Sequence, residues 1–172
     1  PLHGPILTKN LAYYIGKYQT WSSYEPEDDG VLVAAASIHG NTKDAAQKMA
    51  EILKEKGAKK VAFTDLSRDD MAEAVEDAFR YSKLVLACAT YDGGLFPPME
   101  DFLHRLKHKA YQKRRVALIE NGSWAPLAAK CMAKELEALK DITVCDTVVT
   151  IKSCLKEENI AQMKQAADEL LG

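Results

Sequence analysis

Two textures alternate along the chain from residue 31 onward. One is a short apolar run rich in β-branched residues: Val31–Ala36, Lys60–Leu66, Lys83–Thr90, Arg114–Glu120 and Thr143–Ile151. Most of these runs are apolar throughout rather than alternating, which is the pattern of strands covered on both faces. The other texture is longer and has helical spacing. Ala45, Met49, Ile52 and Leu53 share one face ahead of Gly57, a natural residue just past a helix end. Met71, Ala74, Val75, Ala78 and Phe79 make the next stripe, after Ser67-x-x-Asp70, a weak capping box. Met99, Phe102, Leu103 and Leu106 follow Pro97-Pro98, a pair suited to a first helical turn. Ala128, Met132, Leu136 and Leu139, then Ile160, Met163, Ala167 and Leu170, give the last two helices.

Strict alternation of buried strands with crossover helices predicts a parallel sheet with helices on both faces, a three-layer α/β/α sandwich. Five strands in about 140 residues suit the strand order 2-1-3-4-5 better than the six-strand dinucleotide-binding order. Residues 1–30 read differently. Leu11, Tyr14, Ile15 and Tyr18 are spaced like a short helix. Trp21 to Gly30 then reads as an acidic connector with Pro26 and Gly30 as breakers. Its plainest reading is an extension that packs its aromatics on the domain. The predicted division is therefore 1–30 and 31–172.

The composition narrows the function. A chain of 172 residues that is 47% apolar can bury a full core, so it is not a largely disordered protein. Its 23 basic and 25 acidic residues leave a formal charge of −2, which argues against a nucleic-acid binder. No apolar run reaches the roughly 18–20 residues of a membrane span. The start, Pro1-Leu2-His3-Gly4-Pro5, lacks the basic and apolar regions of a signal peptide. Cys88, Cys131, Cys145 and Cys154 form no CxxC pair, and three of them lie in apolar segments. They read as reduced thiols of a cytoplasmic protein rather than a zinc or disulfide framework.

In an open parallel sheet, ligands bind beyond the carboxyl ends of the strands, near the switch in strand order. Three loops fall there. Ser37-Ile38-His39-Gly40-Asn41-Thr42 joins strand one to helix one and offers hydroxyls, an amide, a glycine and the free N–H groups of a helix start. Such a loop holds an anion through oriented amides and the helix dipole. It is neither GxGxxG nor GxxxxGK[ST], so a terminal phosphomonoester is the expected anion; simple capping by Ser37 and Thr42 is the competing explanation. The second loop, Thr90-Tyr91-Asp92-Gly93-Gly94, permits positive φ, and a planar ring can lie against Tyr91. The third, Asn121-Gly122-Ser123-Trp124, places an aromatic where it can form the other wall of a slot or simply pack at a helix start.

Taken together, Ser37-x-x-Gly40-Asn41-Thr42, Thr90-Tyr91 through Phe96-Pro97-Pro98-Met99, and Gly122-Ser123-Trp124 resemble the three FMN loops of flavodoxin-like domains. The closer resemblance is to the C-terminal flavodoxin domain of flavodiiron proteins. Trp21-Ser22-Ser23-Tyr24-Glu25-Pro26-Glu27 is similar to the linker that follows their metallo-β-lactamase-like diiron domain, and His3-Gly4-Pro5 resembles the end of that domain. The resemblance implies a flavodoxin-like fold that binds FMN noncovalently. Ser37, Ile38, His39, Gly40, Asn41 and Thr42 would surround the phosphate, Thr90 with Tyr91, Asp92, Gly93 and Gly94 would border the ring, and Asn121, Gly122, Ser123 and Trp124 would close the other side. It also implies a rubredoxin or NAD(P)H-linked reductase as electron donor, and a head-to-tail homodimer of the full-length parent, an oxygen or nitric oxide reductase. Two departures bear on flavin affinity: His39 stands where the family more often has an aromatic residue, and the third loop is shorter and less glycine-rich than the common form. The family's other iron ligands are not in this chain, so His3 is expected to bind no metal by itself. A free-standing flavodoxin and a cofactor-free interaction module are the alternatives.

Two further features read first as solvated surface. His104 and His108 stand four residues apart on one helix. The basic run from Arg105 to Arg115 has a second reading, a docking patch for an acidic redox partner such as rubredoxin.

Overall fold

A computed structural model describes residues 3–172. Six helices and six strands follow in order: α1 (Leu11–Ser22), β1 (Asp28–Ala36), α2 (Asn41–Glu55), β2 (Val61–Asp65), α3 (Met71–Arg80), β3 (Tyr81–Tyr91), β4 (Gly94–Leu95), α4 (Pro97–His108), β5 (Arg114–Asn121), α5 (Ala128–Glu137), β6 (Ile142–Ile151) and α6 (Glu157–Leu171). The five long strands are parallel, in the order β2-β1-β3-β5-β6, which is the expected 2-1-3-4-5 arrangement. The two-residue β4 folds back antiparallel on the end of β3.

Successive residues of β1 serve two different cores. Leu32, Ala34 and Ala36 pack toward α3, α4 and α5, whereas Val31, Val33 and Ala35 pack toward α2 and α6. Period-two side chains on a sheet covered on both sides explain why the strands read as continuous apolar runs. The helices add their predicted stripes: Met49, Phe102, Met132 and Met163 are all fully buried. One cap differs from expectation. Asp70, not Ser67, caps α3, its side chain accepting from the Ala72 N–H at 2.7 Å. Asp70 is the residue next to the first helical turn, where a capping oxygen reaches the free N–H groups.

The front of the domain differs more. Strand β1 begins at Asp28, inside the expected connector. Asp28 pairs with Lys60 and Arg80, and Asp29 with Lys83 and Lys59, so cations just ahead of β2, at the end of α3 and in β3 draw the acidic residues into the sheet. These partners hold both carboxyls below the usual carboxylate range. Gly30 is not a breaker; a Cβ there would sit 2.6 Å from the Tyr81 ring, so glycine allows the close crossing.

Helix α1 has no buried residue. Leu11, Tyr14, Ile15, Tyr18 and Trp21 are all exposed, so the aromatics of the helix do not pack on the domain; of the extension's aromatics, Tyr24 meets Phe79, ring centroids 6.4 Å apart. What holds this segment is polar. Arg114, only 3% exposed, donates to the carbonyls of Phe79, Tyr81, Tyr24, Gln112 and Lys113. A buried guanidinium must find acceptors for its N–H groups, and here each of its three nitrogens donates to at least one carbonyl. Lys113 adds an ion pair to Glu25 and a bond to the Ser23 carbonyl. The basic run is thus largely engaged within the chain: Arg105 pairs with Asp101 and Lys107 with Glu135.

The phenol of Tyr111 lies beneath this junction, 1% exposed, and its hydroxyl has no hydrogen-bond partner among the described residues. Leaving a buried hydroxyl unpaired costs about 1–3 kcal/mol. Tyr111→Phe keeps the ring packing against Phe79, whose centroid is 5.2 Å away, and removes that cost. Its thermal midpoint is expected to equal or exceed the parent's by calorimetry; a clear fall would show that the hydroxyl has a partner.

Candidate functional site

The carboxyl ends of β1, β3, β5 and β6 surround a cavity of about 170 Å³, lined by Ser37, Ile38, His39, Asn41, Thr42, Ala89, Thr90, Asn121, Gly122, Ser123 and Ser153. This lies at the switch point between β1 and β3, where the direction of strand addition reverses. Pockets that enclose a whole small-molecule ligand run to roughly 300–1,000 Å³. The cavity is therefore a cradle for one end of a ligand.

The chemistry of that cradle comes from the start of α2. Ser37 Oγ accepts from the Gly40 N–H at 3.1 Å, closing a turn in which Gly40 adopts φ +99°. The first intrahelical bond runs from the Asp44 N–H to the Gly40 carbonyl. The N–H groups of Asn41, Thr42 and Lys43 have no acceptor among the described residues, and no side chain caps the helix. Thr42 is 2% exposed, lines the cavity, and its hydroxyl is likewise unpaired. Ser37 and Thr42 do not act as helix caps here, so the capping explanation of the loop falls away. Unpaired N–H groups at a helix start, with an unengaged hydroxyl beside them, favour an anion. Lys43, the cation in the first turn of α2, is paired with Asp65 at 3.3 Å. An anion held here is held by amides and hydroxyls.

The β5–α5 loop forms the opposite wall and is anchored at both ends. Thr90 Oγ1 accepts from the N–H groups of Leu127 and Ala128 at 3.0 and 3.2 Å, capping α5 from another strand. Glu120, 8% exposed, accepts from the Ala129 N–H and the Thr150 hydroxyl. Asn121 turns its amide to Ser153: Nδ2 donates to the carbonyl at 2.9 Å and Oδ1 accepts from the N–H at 3.1 Å. Ser153 is held at φ +70°, in the left-handed region. Gly122 passes Pro126 so closely that a Cβ would lie 2.9 Å from its Cα.

Of the residues picked from sequence, the structure brings Ser37, Ile38, His39, Asn41, Thr42, Thr90, Asn121, Gly122 and Ser123 to one cavity. Gly40 shapes the turn at its edge. Tyr91, Asp92, Gly93 and Gly94 form a neighbouring hairpin and do not line it; Asp92 and Gly93 take φ +48° and +72°, the two positive values of a tight β-turn. Tyr91 is half exposed on the rim, its ring edge-on to Phe96 at 5.7 Å. Trp124 stands 95% exposed, away from the cavity. Ala89 and Ser153 also line the cavity; the rule that ligands gather at strand ends would have found Ser153 had it been applied to the fifth strand as well.

Elsewhere, His104 and His108 meet Nε2 to Nε2 at 3.0 Å on α4. Among the described residues, no group of three or more His, Cys, Asp or Glu could hold a metal ion. The four thiols are free, and burial pushes Cys88 up to about 12 and Cys145 to about 11. Among the described residues, no helix is long and apolar enough to cross a membrane.

A doubly wound parallel sheet with a cavity of unpaired donors at its switch point defines a class of α/β domains. Comparison with known proteins narrows it: the profile of the flavodoxin family matches residues 33–162, and the chain belongs to that family. Among solved structures, it is similar to a rubredoxin oxygen:oxidoreductase from the anaerobe Desulfovibrio gigas, at 17% identity with a TM-score of 0.86, over 94% of this chain and 39% of that one. A mutant flavo di-iron protein from Thermotoga maritima gives 23% identity and a TM-score of 0.81, over 98% and 42%. Flavodoxin 1 from Bacillus cereus gives 18% and 0.71, over 83% and 97%. The chain thus spans about two fifths of the length of these two larger structures. No curated protein sequence matches it.

The Thr90 cap supplies a direct check on how the wall is built. Thr90→Val keeps the shape and removes the acceptor for two N–H groups, at a cost of about 1 kcal/mol. The thermal midpoint is expected to fall by about 2–4 °C; an unchanged midpoint would show that α5 needs no cap from β3.

Proposed function

We propose that this chain is an FMN-binding electron-transfer domain. The observation that carries the reading is the set of unpaired N–H groups on Asn41, Thr42 and Lys43 beside the unengaged Thr42 hydroxyl, at the switch point of a flavodoxin-family sheet. These donors fit a terminal phosphomonoester, and the cavity has room for that end of the molecule. The flat ring then lies on the open rim, bordered by Tyr91 and the Asp92–Gly94 turn. Ser123 sits on the far side, and Trp124, free in solvent, is the residue able to come down over the ring. The cofactor, when bound, supplies reversible redox chemistry; the protein orients it and sets its surroundings.

The broader setting is a flavodiiron oxygen or nitric oxide reductase, whose diiron centre would lie in a domain ahead of residue 31 and receive electrons from this one. Support comes from the coverage: the flavodiiron structures align over 94% and 98% of the chain, against 83% for a free flavodoxin. The exposed apolar side of α1 also suits a segment that belongs to a larger protein. In that setting the donor is a rubredoxin or an NAD(P)H-linked reductase, and the full-length parent pairs head to tail as a homodimer.

Titration of the purified chain with FMN tests the cofactor reading. Quenching of flavin fluorescence at one-to-one stoichiometry, with a bound chromophore bleached by dithionite and restored by air, is the expected result. A chain that leaves the fluorescence of added FMN unchanged would overturn it.

A further inference from the structure

We infer that Asp65, at the end of a strand whose own loop does not line the cavity, is a positioning residue that fixes both ends of the phosphate loop. The inference rests on the reading that the cradle holds the phosphate of a flavin. Asp65 is 2% exposed. Its Oδ1 accepts from the Ser67 N–H at 3.1 Å. Ser67 in turn places its hydroxyl 3.3 Å from the Ser37 N–H and 3.4 Å from the Ser37 carbonyl, so it braces the first residue of the loop through both backbone groups. The other oxygen, Oδ2, meets Lys43 at 3.3 Å and Arg68 at 2.9 Å. Lys43 belongs to the first turn of α2, the far end of the same loop. One carboxylate therefore ties Ser37 and Lys43 to the β2–α3 turn, while the free N–H groups between them stay aimed at the cavity.

The carboxylate is itself held. The Asp65 N–H donates to Asp69 at 2.7 Å, and the Leu66 N–H donates to the Ala35 carbonyl at 2.8 Å, pinning the turn to β1. Burial alone would raise the Asp65 pKa, but the Ser67 N–H, Arg68 and Lys43 outweigh it and keep the group ionised. The pairing with Asp65 keeps Lys43 off the phosphate itself, and the Asp69 carboxylate beside it balances the second cation. Supporting groups of this kind decide whether donors meet a ligand at hydrogen-bond distance or miss it.

Riboflavin, which lacks the phosphate, separates this role from general loosening. FMN and riboflavin are titrated by fluorescence quenching against the parent, Ser67→Ala, and the double variant Asp65→Ala with Lys43→Met, which leaves the net charge unchanged. FMN affinity is expected to fall about threefold in the first variant and about tenfold in the second, with riboflavin affinity within about twofold of the parent in both. Equal losses for both flavins, or no loss for FMN, would overturn the assignment. Ser67→Ala removes one oxygen and no charge, so it decides the matter alone if the double variant does not fold. A parent chain that binds neither flavin would overturn the cofactor reading and this inference together; a parent that binds FMN while the variants keep its FMN-to-riboflavin ratio would overturn this inference only.

Discussion

The start of α2 leaves three consecutive backbone N–H groups without acceptors among the described residues, and two of them belong to Asn41 and Thr42, which line a cavity at the end of the sheet. Most helices satisfy such groups with a capping side chain, because an unpaired buried donor is costly. Here the Ser37 hydroxyl turns instead to Gly40, and Thr42 leaves its own hydroxyl open. The rest of the site is arranged around this vacancy in the hydrogen-bond pattern. Strand β1 delivers Ser37 to the edge, Gly40 reverses the chain in a conformation that glycine adopts without strain, and the apolar face of α2 locks the helix on the sheet. Binding strength is then set by how well an anion completes a pattern that the fold has already fixed.

A second layer keeps that pattern in register. Each wall of the cavity is held by a residue from a neighbouring strand: Thr90 of β3 caps α5, Glu120 of β5 ties α5 to β6, and Asn121 holds Ser153 in the left-handed region. Asn121 lines the cavity, yet both ends of its amide are engaged by Ser153. Its contribution is to the shape of the wall. The same division of labour recurs beneath the first loop in Asp65 and Ser67.

The strands, the helices and their order are legible in the sequence because a sheet covered on both faces imposes unbroken apolar runs, and each crossover helix imposes its own stripe. The first and third loops are legible because strand ends are where ligands gather. What stays hidden depends on contacts distant in sequence. Asp28 and Asp29 look like connector until Lys60, Arg80, Lys83 and Lys59 arrive from other elements. Ser67 looks like a helix cap and turns out to brace Ser37. The stripe on α1 looks like a face packed on the domain, and periodicity cannot say that the domain offers it no partner. Trp124 looks like a wall because of its neighbours in sequence; the close passage of Gly122 by Pro126, which shapes the loop, has no signature in composition.

The central claim is that the amides opening α2 receive the phosphate of a flavin. Backbone ¹H–¹⁵N spectra recorded with and without FMN test it most directly. The account predicts that the resonances of Asn41, Thr42 and Lys43 move furthest, downfield in the proton dimension, as three unpaired donors acquire an anionic acceptor. Shifts concentrated elsewhere on the surface, with these three amides unmoved, would contradict it.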